Sequence, residues 1–137
     1  MSPTQKHTAP LLVVAALIQQ KDRILLTQRP EHKPHGGYWE FPGGKLEANE
    51  APAEALEREL AEELGLKIRV DRIAETLYHR YDWGPVLILV YHCTIISGRP
   101  RNLEVAAHEW IAASELARYQ ILPADQPLID KLRSATP

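Results

Sequence analysis

The sequence predicts an α/β (α+β) sandwich, a mixed β-sheet flanked by helices, and three observations carry that expectation. Short apolar runs of strand length alternate with turn-forming clusters of Gly, Pro, Asn and Asp. The stretch from Ala51 to Leu64 breaks that rhythm with apolar residues at helical spacing, and a stretch after Pro123 does so again. The chain has 137 residues, enough for one domain with a real core and too few for two comfortable ones. Residues 1–9 read as a flexible tail, because Ser2 to His7 offer nothing to bury. Residues 10–137 read as the single domain.

Leu11 to Ile18 is a near-continuous apolar run, as expected of a strand covered on both faces. Gln19 to Asp22 form a turn, and Ile24, Leu25 and Leu26 begin a second strand that ends near Arg29. Pro30 to Gly37 is a loop. Trp39, Glu40 and Phe41 form a short extended piece, stopped by Pro42, Gly43 and Gly44. The first helix takes Asn49 as its cap, Pro52 in its first turn and Gly65 as its C-terminal stop. Strands are expected from Ile68 to Tyr81, broken near the middle, and from Val86 to Ile96, with a turn between them at Asp82 to Pro85. Ser97 to Pro100 turn the chain again. A strand near His108 to Ile111 leads into a helical piece at Ser114 to Leu116. The last helix has Asp125 as its expected cap and buries Leu128, Ile129 and Leu132.

Composition narrows the function. Apolar residues make up 45% and charged residues 25%, as in soluble globular proteins. A net charge of −2 argues against a nucleic-acid polymer as partner. It leaves open a single nucleotide, whose charge a metal and one or two basic side chains can meet. The one cysteine, Cys93, excludes an internal disulfide and a Cys-based zinc site, and its apolar surroundings mark a packed thiol. The run from Leu11 to Ile18 is too short to span a bilayer and lacks a cleavage site, so a cytoplasmic protein with no membrane partner is expected. The six histidines show no paired metal-ligand spacing.

The first helix concentrates the chemistry. Ala53, Leu56, Leu60 and Leu64 form its apolar stripe, while Glu59, Glu62 and Glu63 stand at i, i+3 and i+4 on the neighbouring face. Like charges at those spacings destabilise an isolated helix, whereas a hard dication among them, such as Mg2+, turns the crowding into ligation. A solvated acidic face is the plain alternative. Two details favour the ion: Gly43 and Gly44 precede the helix and let backbone approach a metal or phosphate, and Arg58 is placed to reach back to Glu50 and pin the loop.

Residues 44–66, GKLEANEAPAEALERELAEELGL, resemble the signature of the Nudix hydrolase family, G-x5-E-x7-R-E-U-x-E-E-x-G-U with U bulky and aliphatic. Gly44, Glu50, Arg58, Glu59, Leu60, Glu62, Glu63, Gly65 and Leu66 fill every specified place. LLTQRP, WEFPGGK, EWI and ILPADQPLIDKL resemble the MutT-like branch, so the likeness spans about residues 11–133. It implies a Nudix-like α/β/α sandwich and hydrolysis of a nucleotide phosphoanhydride with Mg2+, or Mn2+ in its place. The lead substrate is an oxidised purine triphosphate such as 8-oxo-dGTP, cleaved to monophosphate and pyrophosphate in nucleotide pool sanitation. CTP or 5-methyl-dCTP comes second, and ADP-ribose or a dinucleoside polyphosphate is a further reading. A non-catalytic nucleotide-sensing domain is the rival of another class, disfavoured because no carboxylate of the box is lost. A monomer or homodimer is expected.

The resemblance also assigns roles. Glu59, Glu62 and Glu63 bind the metal, joined by the carbonyl of Gly43 and a glutamate from a later loop, read here as Glu109. Glu59 takes the proton of the attacking water, a role that Glu62 or Glu63 can share. Arg29 reads as a phosphate contact or as a solvated strand-end cation. Trp39, Trp83, Trp110, Tyr81 and Phe41 are candidates for a base-stacking wall, Phe41 first because it adjoins Gly43 and Gly44. Most of the five are expected in the core. Asp125 reads either as a base-reading acceptor, favouring bases with an exocyclic amine, or as a helix cap.

Overall fold

The computed structural model describes residues 9–135, so all of the expected tail but Ala9 lies outside the described residues. The chain runs β1 (Leu11–Leu17), β2 (Gln19–Gln20), β3 (Arg23–Gln28), β4 (Trp39–Glu40), β5 (Gly43–Lys45) and α1 (Pro52–Leu64). It continues through β6 (Lys67–Tyr81), β7 (Gly84–Ser97) and β8 (Ala107–Ala112). Two 3-10 turns follow, Ala113–Arg118 and Pro123–Asp125, and then α2 (Gln126–Ser134). β5, β1, β7 and β6 form a mixed sheet in that order, with β1 parallel to β7 and the other pairs antiparallel. A smaller antiparallel sheet joins β2, β3 and β4, with β8 on the other side of β3. Among the described residues no helix is long and apolar enough to cross a membrane.

The unbroken apolar run of β1 has a direct reason. Successive strand residues face opposite ways, and both faces of β1 are covered. Val14 and Ala16 join the core under α1 with Leu56, Leu60 and Leu64, whereas Ala15 and Leu17 join the other core with Ile88, Val90, Leu128 and Ile129. Cys93 is buried in the first of these, and burial pushes its thiol up to about 12. Leu128 and Ile129 of α2 are buried as expected, with Leu132 packed at the margin.

Four expectations are corrected. Gly43 and Gly44 do not merely stop a strand; they belong to β5, with Ala15 opposite Gly43 and Val14 opposite Gly44. The expected break in the strand from Ile68 to Tyr81 is a pair of register shifts, at Val70/Arg72 and Ile73/Glu75, within one continuous β6. Asn49 is not the cap of α1. It sits at φ 64, and Ala51 is the N-cap, its N–H donating to the Glu54 carboxylate at 2.9 Å. The buried stripe of α1 uses Ala55 in place of Ala53. Gly65, at φ 68, closes the helix as expected.

Candidate active site

α1 packs on β5 and β6, which sets its acidic face beside the glycines of β5. The Gly43 N–H donates to Oε1 of Glu63 at 3.2 Å. A Cβ at Gly44 would lie 2.4 Å from the Glu59 carboxyl carbon, and one at Gly43 would lie 2.0 Å from the Val14 carbonyl oxygen. The two glycines therefore serve different ends, and alanine substitutions separate them. Gly43→Ala forces backbone apart and should lower the melting temperature sharply. Gly44→Ala displaces only a carboxylate and should cost activity with little change in melting; thermal melts and initial rates on both variants check this.

Arg58 reaches back as the sequence suggested. Its Nε and Nη2 donate to the two Glu50 oxygens at 2.7 and 3.0 Å, which pulls the Glu50 carboxyl below its usual range. The same guanidinium holds the acidic face of the helix: Nη1 donates to Glu59 Oε1 at 3.0 Å and to Glu62 Oε2 at 3.2 Å. One arginine thus fixes the loop and two of the three box glutamates.

A cleft of about 770 Å3 runs from this acidic cluster into the second core. Glu59, Glu63, Gly43 and Gly44 line one end; Asp125, Phe41, Leu122 and Ala124 line the other. Arg29 also lines the cleft, its side chain partly buried. Its Nε donates to the Pro34 carbonyl at 2.8 Å and its Nη1 to both Glu40 oxygens at 3.1 and 3.3 Å. Thr27 and Asp125 are the buried polar side chains among the described residues. Asp125 ends a 3-10 turn, accepts the Phe41 N–H on Oδ2 at 3.0 Å and makes no side-chain cap bond to α2. Asp125 thus stands at the N-cap position of α2, as expected, but its carboxylate serves Phe41 and not the open N–H groups of the helix. Burial, aided by the Glu40 charge, pushes the Asp125 carboxyl up to about 8. Phe41 reaches Asp125 through its backbone; its side chain is buried, and Trp39 and Trp110 pack against the two cores.

The carboxylate end is short of positive charge. Burial, then the charges of Glu59 and Glu40, push Glu63 up to about 8. Burial also raises Glu59, against the pull of Arg58, with Glu62 and Glu104 adding to the rise. Among the described residues no three acidic, His or Cys side chains converge as a preformed cage. The donors are nonetheless hard oxygens in uncompensated excess, and that is the set a divalent ion such as Mg2+ fits.

Glu109 is not brought to this cluster. It is exposed on β8, in register with Leu26, and outside the cleft. Glu104 lies closer to the cluster. The N–H groups of Leu103 and Glu104 donate to the Glu63 carbonyl at 3.1 and 3.2 Å, filling the open end of α1 and bringing the Glu104 charge to bear on Glu59. The available signal was that Glu104 lies in the irregular stretch after Pro100, whereas Glu109 falls in a strand.

Comparison with known proteins shows the family. The NUDIX domain pattern matches residues 13–131. The chain is 36% identical to the CTP pyrophosphohydrolase of Escherichia coli, over 91% of this chain and 95% of that one. It is 35% identical to a putative 8-oxo-dGTP diphosphatase 2 of Mycobacterium tuberculosis, over 88% and 86%. The crystal structure of a MutT NUDIX hydrolase from Burkholderia pseudomallei superposes with a TM-score of 0.81 at 28% identity, covering 89% of this chain and 97% of the other. With the domain pattern spanning nearly all of the described fold, the chain belongs to the Nudix family and is a hydrolase of phosphoanhydride bonds.

Proposed function

We propose that this enzyme is a Mg2+-dependent nucleoside triphosphate pyrophosphohydrolase. Its substrates carry a base with an exocyclic amine, 8-oxo-dGTP first and CTP or 5-methyl-dCTP second. One observation carries the reading: a single cleft joins a crowd of carboxylates to a buried, apolar-walled end that closes on Asp125. A nucleoside triphosphate has the same polarity, anionic phosphates on metal at one end and a flat base with few polar atoms at the other.

Glu59, Glu62, Glu63, the Gly43 carbonyl and Glu104, in place of Glu109, are the residues that would hold the ion. When bound, it neutralises phosphate oxygens and acidifies water. Glu59 accepts the water proton at Oε2, the oxygen that Arg58 leaves free. Arg58 fixes the Glu59 side chain, and Glu50 fixes Arg58. Arg29, held by Glu40 and Pro34, offers its remaining N–H groups to a phosphate oxygen. Asp125 offers Oδ1 to the base, since Oδ2 already accepts from Phe41. The second reading has support of its own: one open oxygen suits the single amine of cytosine, and the relative in Escherichia coli is named for CTP.

A screen of pyrophosphate release over 8-oxo-dGTP, CTP, 5-methyl-dCTP and dTTP with Mg2+, run above pH 8, tests the proposal. Pyrophosphate from the amino-bearing bases and little from dTTP is expected; orthophosphate as the product, or equal turnover of dTTP, overturns it. The metal has a stability signature as well. In EDTA the folded protein keeps protons on Glu63 and Asp125 up to about pH 8, against ordinary carboxyl values of 4.5 and 3.8. Between those limits the unfolded chain has lost protons that the fold still holds, so stability falls as pH rises through the window. Mg2+ relieves Glu63, and its gain in melting temperature should be larger at pH 8 than at pH 5. Melts with Mg2+ or EDTA at both pH values check the sign.

A further inference from the structure

β6 carries Leu77, His79 and Tyr81 at alternate positions, and Trp83 follows at the same spacing in the turn to β7. Period two puts them on one face of the strand. The row leaves the core at buried Leu77 and climbs outward: the His79 and Tyr81 ring centres are 4.4 Å apart, and Tyr81 and Trp83 lie 5.5 Å apart with their planes within 12°. Tyr81 is anchored at the base-reading end, where its hydroxyl accepts the Ala124 N–H at 3.1 Å. Tyr81 and Trp83 both line the cleft, yet Trp83 is 61% exposed at a two-residue hairpin tip. Trp39 and Trp110 pack against the cores, so this exposure singles Trp83 out.

From this geometry we infer that Trp83 is a specificity-determining residue, an aromatic flap that stacks on the nucleobase once Asp125 has engaged it. Tyr81 holds the indole parallel from beneath, so the flap is oriented before the ligand arrives and loses little freedom on binding. Trp83 stacks on Tyr81, whose hydroxyl meets Ala124 beside Asp125, so it acts on affinity and leaves the hydrolytic step alone. A larger base offers the indole more area, so 8-oxo-dGTP gains more from the flap than CTP. This deepens the proposed function and rests on a base occupying the Asp125 end.

The test compares wild type, Trp83→Ala and Trp83→Phe with 8-oxo-dGTP and CTP, and uses inorganic tripolyphosphate, which has no base, as a competitive inhibitor. Base stacking on an aromatic side chain corresponds to roughly a five- to hundredfold change in affinity. Trp83→Ala should raise KM by about that factor with kcat within about twofold, more for 8-oxo-dGTP than for CTP. Trp83→Phe should restore most of the loss, and the Ki of tripolyphosphate should not move. An unchanged KM, or an equal rise in the tripolyphosphate Ki, overturns the flap. Should wild type hydrolyse neither nucleotide, the proposed function fails by itself. The flap is then read from tryptophan fluorescence: nucleotide quenching that disappears in Trp83→Phe supports it, and quenching that persists there removes it.

Discussion

Glu59→Gln is expected to lower kcat by about 10²–10⁴-fold while KM changes little, the signature of a group acting in the transition state. The substitution keeps the side chain's shape and the helix propensity of α1. It also keeps an oxygen for the Arg58 bond, so the pinned loop should survive and the melting temperature should hold. What is lost is the basic oxygen facing the cleft, together with one negative charge among the ligands. Those two losses separate by titrating Mg2+: a ligand defect is recovered at high metal, whereas a proton-transfer defect persists at saturation. Purified variant with near-wild-type kcat at saturating Mg2+ would remove Glu59 from the chemistry.

The box was readable because its residues lie close together on a helix, whose period turns spacing into geometry. Arg58 reaching Glu50 follows from sequence distance alone. Glu104 was missed because its place depends on bonds from a loop to the open end of α1; its position in the irregular stretch after Pro100 marks it as a loop residue without placing it. β5 was missed for another reason. Glycines have little strand propensity, and Gly43 packs against Val14 and Ala15 of β1 only because it has no side chain, a tertiary demand that overrides local preference. Asp125 shows the same limit: it holds the N-cap position that the sequence suggested, but its side-chain partner is Phe41, 84 residues away in sequence. Trp83 was only one of several aromatic candidates until the fold showed which of them stays out of the core.

Asp125→Ala is the sharpest test of substrate choice. Loss of a hydrogen bond to a buried charged acceptor corresponds to about 1.5–3 kcal/mol, or roughly ten- to hundredfold in kcat/KM. That loss should fall on CTP and 8-oxo-dGTP, while dTTP, which presents a carbonyl in place of an amine, should hardly change above pH 8. Alanine also leaves the Phe41 N–H without its acceptor, so some stability is lost whichever reading holds. Asp125→Asn separates the effects, because its carbonyl can still accept from Phe41 while its amide hydrogens face the amine of cytosine. It should melt near wild type and still lose CTP turnover. The pH dependence follows from the raised carboxyl. Below about pH 8 Asp125 keeps a proton and offers a donor that the thymine carbonyl can take; above it the carboxylate only accepts. Preference for CTP over dTTP should therefore widen as pH rises through 8 in wild type and stay flat in Asp125→Asn. If the ratio of kcat/KM for these two substrates is the same in all three proteins and at every pH, Asp125 does not read the base.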